Sequence, residues 1–266
     1  GANSKVQHPE VGKDIHYSLN ISFKEAIFGI KKNIKIPRKE TCNACHGSGS
    51  KRGSKPVTCT SCNGRGEVST MRGFFAITQV CTQCKGSGTN ISELCKLCSG
   101  QKLRSVETMV NVTIPSGIDS GMKVKIANEG YDGLQGGERG NLYILVYIKD
   151  HPIFKRKNND ILCDVPITFV DAILGSTIEV PIIDGRVDMK IPECTQSGTI
   201  FRLKGRGIPS LRKGYLKGDQ LVRLQTEIPI YTNDEQKDHI KKLKSLLKIN
   251  TFPIVRNFSQ KIKNLI

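Results

Sequence analysis

Eight cysteines, set in four copies of Cys-x-x-Cys-x-Gly, are the residues of this chain best suited to chemistry. The copies read Cys42-Asn-Ala-Cys45-His-Gly47, Cys59-Thr-Ser-Cys62-Asn-Gly64, Cys81-Thr-Gln-Cys84-Lys-Gly86 and Cys95-Lys-Leu-Cys98-Ser-Gly100. Two thiolates separated by two residues reach one tetrahedral metal ion, so each copy is half of a four-cysteine zinc site. Four halves make two closed sites and two zinc ions per chain, with no coordination position open for catalysis. Spacing alone leaves open which halves share an ion. Glycine after the second cysteine permits positive φ, which lets backbone amides turn toward the sulfurs. A disulfide framework is the competing reading, but the pattern is not that of a small secreted scaffold. The tighter cysteine spacing of an iron–sulfur ferredoxin is missing.

Composition bounds what can surround this block. A chain of 266 residues holds about two ordinary domains. No apolar run approaches the roughly 18 residues that a membrane-spanning helix needs, and no membrane partner is expected. Gly1-Ala2-Asn3 has no signal-peptide pattern and reads as a cloning remnant ahead of a truncated chain. Ten cysteines, eight of them placed as ligands, suit a reducing compartment. The two isolated ones, Cys163 and Cys194, are expected as buried free thiols in strands. With eight thiolates and two zinc ions counted, the formal charge of +17 falls to +13. That charge attracts polyanions without sequence preference. The lysines are spread along the chain with few aromatics among them, so solvated surface is expected and no specific nucleic acid.

Outside the cysteine block the chain repeats itself. Ile21-Ser-Phe23-Lys-Glu-Ala26-Ile27-Phe-Gly29 matches Ile167-Thr-Phe169-Val-Asp-Ala172-Ile173-Leu-Gly175 at an offset of 146. Ile114-Pro115 and the stretch from Ser120 to Gly130 match Ile191-Pro192 and Ser197 to Gly207 at an offset of 77. The first copy therefore carries a surplus of 69 residues, and the cysteine block fits inside it. An insertion within the first of two similar domains is the reading that follows.

Both copies read as mostly strand. Short apolar alternation bounded by Gly, Pro or Asp predicts strands near 35–37, 107–114, 123–127 and 141–149, then near 160–168, 177–182 and 219–226. Phe-x-x-Ala-Ile-x-Gly supports one or two helical turns, ended by Gly29 or Gly175. The expected fold is mainly β: two tandem β-sandwiches, a cysteine-rich two-zinc arm inserted in the first, and a C-terminal α-helix. The boundaries are a linker remnant at 1–10, a first β-domain at 11–41 and 104–154, and the insertion at 42–103. A second β-domain follows at 155–231 and a dimerisation helix with its tail at 232–266. Thr232 to Glu235 reads as a capping box, and Ile240, Leu243, Leu246 and Leu247 then fall on one helical stripe. That stripe docks either on its own domain or on a second chain. Phe252 to Ile266 reads as a sparse apolar tail.

Four Cys-x-x-Cys-x-Gly motifs inserted in the first of two tandem β-domains resemble a class A DnaJ co-chaperone of the bacterial or organellar type. Arg72-Gly-Phe-Phe75, Asp184-Gly185-Arg186 and His151-Pro-Ile-Phe154 add to the likeness. Lys102 departs from it, standing where the fourth motif would carry its last Gly. The family's J-domain needs a His-Pro-Asp loop between two helices, whereas this chain has His8-Pro9-Glu10 and His151-Pro152-Ile153. The Gly/Phe-rich linker is missing as well. The resemblance therefore implies a client-binding and dimerising portion that does not itself stimulate an ATPase.

It implies further a non-enzymatic holding function: unfolded polypeptide clients, delivery to a DnaK-type ATPase chaperone, and a homodimer. The place would be a bacterial cytoplasm or an organelle matrix. Zinc pairing in the family is nested, with Cys42, Cys45, Cys95 and Cys98 on one ion and Cys59, Cys62, Cys81 and Cys84 on the other. Clients would add a strand to the first domain beside a pocket matched by Ile15, Ile34, Ile36 and Ile144. Alternation alone leaves those four open between pocket and core; Phe74 and Phe75 are likewise open between module core and client contact. Two rivals from other classes are a thiol–disulfide oxidoreductase, which needs accessible thiolates, and a zinc protein that binds nucleic acid without sequence preference.

Overall fold

The computed structural model describes residues 9–72, 75–211 and 216–264. The chain opens with β1 (Ile15–Ile21), α1 (Phe23–Phe28) and β2 (Ile30–Thr41). The cysteine block carries β3 (Val57–Thr58), β4 (Glu67–Arg72), β5 (Phe75–Val80) and β6 (Thr89–Asn90). After it come β7 (Leu103–Ile114), β8 (Lys123–Ile126), β9 (Leu142–Ile148) and β10 (Phe154–Lys157). The remainder is β11 (Asp160–Thr168), α2 (Phe169–Leu174), β12 (Ser176–Ile182), β13 (Gly185–Ile191), β14 (Ile200–Leu203), β15 (Gln220–Glu227), α3 (Asp234–Leu246) and α4 (Pro253–Lys263). The fold is mainly β, as the alternation predicts.

The first domain is a sandwich. One layer is the sheet β1-β9-β8, in which β1 runs parallel to β9 and β8 antiparallel. The other is the long antiparallel pair β2-β7. Period-2 alternation sends Ile34 and Ile36 of β2 and Val110, Val112 and Ile114 of β7 inward, where they meet Ile15, Leu19 and Ile21 of β1 and Leu142, Ile144 and Val146 of β9. Lys35 and Glu107 fall on the outer face and pair there. Helix α1 starts at a capping box: the Glu25 amide donates to Ser22 Oγ, and the Ser22 amide to the Glu25 carboxylate. It ends at Gly29 with φ of 75°, where a Cβ would stand 2.8 Å from the Ile114 carbonyl oxygen. Only glycine fits such a turn.

The internal repeat is visible element by element. β1, α1, β2, β7, β8 and β9 correspond to β11, α2, β12, β13, β14 and β15, and the sheet order β1-β9-β8 recurs as β11-β15-β14 with β10 added beside β11. The ladder from Ile30↔Ile114 to Ile36↔Thr108 corresponds to Ser176↔Ile191 through Ile182↔Gly185. Past that point the second hairpin turns through Ile183 and Asp184, whereas the first continues through residues 37–107. That difference accounts for the whole 69-residue surplus. The insertion is thus a hairpin whose turn has been replaced by an arm.

The chain divides into two compact units, one reaching to Cys163 and including Arg202–Leu221, the other Asp164–Phe201 with Val222 onward. The second unit buries Ile167, Ala172, Val180, Ile182, Met189, Ile191, Val222 and Leu224.

Several local expectations need correction. The helix cap near 232 is shifted by one residue: Asn233 caps α3 and Gln236 completes the box. Asn and Gln serve the same donors as Thr and Glu, so both registers were open to the sequence. The segment after Phe252 is not a loose tail, since Pro253 at its first turn starts α4. Cys163 is buried, but Cys194 is exposed in a turn with φ of 56°. Gly73, Phe74, Leu265 and Ile266 lie outside the described residues.

Candidate metal centres

The structure gathers the eight motif cysteines into two groups of four. Cys42, Cys45, Cys95 and Cys98 form one, and Cys59, Cys62, Cys81 and Cys84 the other, with the Sγ atoms of each group within 4.8 Å of one another. The grouping is nested, first motif with fourth and second with third. Across the first group the sulfurs of Cys42 and Cys95 are 3.9 Å apart and those of Cys45 and Cys98 3.7 Å. In the second group Cys59 and Cys81 are 3.9 Å apart, Cys62 and Cys84 3.6 Å. A tetrahedron with Zn–S bonds of about 2.3 Å has edges of about 3.8 Å. The donor set therefore fits zinc in identity, number and span. A disulfide would require about 2.05 Å.

Local backbone geometry builds each site. The residue after the second cysteine is left-handed in every motif, at His46, Asn63, Lys85 and Ser99, with φ between 48° and 51°. A positive-φ glycine follows each, at Gly47, Gly64, Gly86 and Gly100. The curl aims amides at sulfur: Gly49 donates to Cys45 at 3.3 Å, Gly66 to Cys62 at 3.2 Å and Gly88 to Cys84 at 3.3 Å. Paired motifs then lock reciprocally. Cys42 donates to the Lys102 carbonyl and Cys95 to that of Gly49, both at 2.9 Å. In the second group Cys59 donates to Gly88 and Cys81 to Gly66, again at 2.9 Å.

The electrostatics call for a cation. Burial raises the Cys42 thiol, but the amides of Cys45 and Ala44 outweigh it and bring the group down to about 7. Burial also opposes ionisation of Cys84, and the Gly88 amide and the Cys62 side chain bring it down to about 7. Burial, with neighbouring sulfurs behind it, pushes Cys62 and Cys98 up to about 11. Each cluster thus favours a first thiolate and resists the next, because like charges crowd one buried space. A divalent ion at the centre removes that resistance. All eight motif sulfurs are buried, whereas disulfide exchange needs an accessible thiolate.

The base of the arm is held by charge. Arg38 sits at the inward position that follows Ile34 and Ile36 along β2, and it is only 8% exposed. Its Nε donates to Glu40 and its terminal nitrogen to Glu129, both at 2.7 Å. Asp132 accepts from the Thr41 amide and from Arg139 Nε, again at 2.7 Å. Those donors outweigh its burial and hold its carboxyl below the usual range. The Asp132 amide in turn donates to the Lys39 carbonyl. A loop some ninety residues away in sequence thereby fixes where β2 hands over to the arm. The only sequence signal was a charged residue at an inward strand position.

The remaining sequence-derived residues lie elsewhere. Ile15, Ile34, Ile36 and Ile144 join one core cluster, Ile36 and Ile144 with no exposed surface. As the molecule stands they are part of the sandwich core, where β1, β2 and β9 pack together. Ile240, Leu243 and Leu246 form an exposed stripe on α3, and Leu247 caps it; no residue of α3 or α4 is buried. No helix among the described residues is long and apolar enough to cross a membrane.

Similarity to known proteins runs across the same ground. The family model described as DnaJ C terminal domain matches residues 15–229. The chain is 43% identical over 243 residues to the "Chaperone protein DnaJ" of Buchnera aphidicola subsp. Cinara cedri, covering 88% of this chain and 62% of that protein. It is 41% identical over 266 residues to the protein of the same name from Acetivibrio thermocellus, covering 98% and 69%. The counterpart in Ruminiclostridium cellulolyticum is 42% identical over 270 residues, with 99% and 71% covered. The chain thus spans 62–71% of the length of these curated relatives. With a family match over residues 15–229 and two four-cysteine clusters in the arm between β2 and β7, the chain belongs to the DnaJ family.

Proposed function

We propose that this chain is the client-holding part of a DnaJ co-chaperone: it binds unfolded or misfolded polypeptide, keeps it from aggregating and passes it to a DnaK-type ATPase chaperone. The family match over residues 15–229 carries the reading. Each cysteine cluster holds one structural zinc ion, supported by sulfur spacings that fit tetrahedral coordination. The zinc is structural, since four protein ligands leave no site for substrate. Reduced ligand cysteines suit a bacterial cytoplasm or an organelle matrix.

Clients add as a strand to β2. Among the described residues β2 pairs only with β7, so its other edge presents backbone groups between Ile30 and Arg38. Main-chain hydrogen bonding gives affinity that tolerates many sequences. Ile15 and Ile34, 9% and 5% exposed, and the wholly buried Ile36 and Ile144 supply the apolar side chains of this domain that a client side chain would reach. Two chains associate through α3 and α4. Ile240 belongs to an open groove of about 520 Å³ lined also by Phe169, Val170, Pro229 and Tyr231, which suits an apolar helix from a second copy.

The test is suppression of aggregation of a chemically denatured enzyme, followed by light scattering, with photo-reactive side chains placed along β2 at Lys32 and Lys35. Suppression with client captured at β2 is the expected result. Failure to suppress aggregation would overturn the holding function. Capture confined to other strands would overturn the placement.

A further inference from the structure

We propose that the two metal sites are unequal by construction, and that the site of Cys42, Cys45, Cys95 and Cys98, at the base of the arm, releases its zinc first. The inference rests on both clusters holding zinc.

In the site of Cys59, Cys62, Cys81 and Cys84 the two motifs meet through glycine at close range. A Cβ on Gly66 would stand 2.4 Å from the Gly86 carbonyl oxygen, and one on Gly88 2.5 Å from that of Gly64. Neither position accepts a side chain without moving backbone. The corresponding positions of the other site are Gly49 and Lys102. Lys102 does the work its glycine counterparts do: its carbonyl receives the Cys42 amide, and its own amide turns to Cys98. To do so it holds φ of 70°, a left-handed conformation that opposes a side chain. The approach of the two motifs is looser here, since a Cβ on Gly49 would stand 3.0 Å from the Gly100 carbonyl oxygen. Beside this opening the Ser50 hydroxyl, fully buried, has no hydrogen-bond partner among the described residues.

Chain tethering does not offset these differences. The basal site lies between the β2-β7 ladder and the Ser50↔Leu94 bridge, the other between β3-β6 and β4-β5. Both are bracketed by pairing on either side. The strain on Lys102, less the ordering cost a glycine would add in its place, leaves roughly a fivefold difference in zinc retention. Scarcity of zinc then loosens the base of the arm while the remainder stays folded, a graded response that equal sites would not give.

The test uses the whole chain loaded with two zinc ions under reducing conditions. A chromogenic zinc chelator reports release, and hydrogen exchange at the Gly49 and Lys102 amides against Gly66 and Gly88 reports which site opens. Two phases of one ion each are expected, with Gly49 and Lys102 exchanging first. Lys102→Gly should slow the fast phase roughly fivefold and leave the slow one unchanged. Release in a single phase, earlier exchange at Gly66 and Gly88, or a fast phase untouched by Lys102→Gly would overturn the inference. A chain that retains no zinc after refolding with it would instead remove the zinc reading, and the inference with it.

Discussion

Removing both zinc ions should unfold residues 42–102 and leave the first β-sandwich standing. Among the described residues of the arm the buried ones are the eight ligand cysteines together with Gly49, Ser50, Gly66 and Gly88. Among its described apolar side chains Val57, Val68, Met71, Ile77, Val80, Leu94 and Leu97 are exposed and Ile91 is half-buried. Apolar burial, at about 25 cal/mol per Å², therefore contributes little there. A structural zinc ion contributes on the order of 10–16 kcal/mol in small domains. Among the described residues nothing else in the arm approaches that figure. The sandwich instead rests on a continuous cluster from Ile15 to Val146, each large side chain worth about 1.5–3 kcal/mol whether or not metal is present. Hydrogen exchange before and after chelation, with thiols kept reduced, reads both regions at once. The Gly49, Gly66 and Gly88 amides should lose protection, whereas those of Val110, Val112 and Val146 should keep it. Protected arm amides after loss of two metal equivalents would refute the reasoning, and so would a core that melts with the arm.

Ile36→Ala should lower stability by about 2–5 kcal/mol, because that side chain is wholly buried; thermal unfolding checks it, and a variant of native stability that no longer holds clients would return Ile36 to the binding surface. Asp132→Asn should cost about 1–2 kcal/mol, since it weakens bonds to Thr41 and Arg139. Asp132 is depressed in the folded chain, so its contribution is complete above the unfolded value of about 3.9 and fades as pH falls through the lower native value. Denaturation of both proteins at pH 7 and near pH 3 should therefore show the gap closing in acid. Truncation after Tyr231 should give a folded monomer that holds large clients less well, having lost the linkage of two weak sites. Light scattering that finds the full chain already monomeric at micromolar concentration would refute this.

Much of the molecule was written locally. Cysteine spacing determined that there are four half-sites, because two thiolates on one short turn face the same way whatever surrounds them. Alternation marked seven of the fifteen described strands, β2, β7, β8, β9, β11, β12 and β15, and Phe-x-x-Ala-Ile-x-Gly, ended by Gly29 and Gly175, marked both short helices. The duplication could be read from two offsets, and their difference sized the insertion. The β13 and β14 strands, though their residues fall in the repeat, were not read as strands, and α4 was missed because its apolar residues are sparse.

Tertiary structure decided what periodicity cannot express. It chose the nested grouping of the motifs, since either loop was long enough for another. It put Ile15, Ile34, Ile36 and Ile144 in the core, because an inward strand position reads the same whether the facing layer is closed or open. It also brought Glu129 and Asp132 to Arg38 and Thr41, across a separation that leaves no trace in local pattern. Sequence alone fixed which residues turn the same way along a strand or knuckle, for that follows from backbone geometry. Which of those faces meet depends on how the layers pack, and only the folded chain determines that.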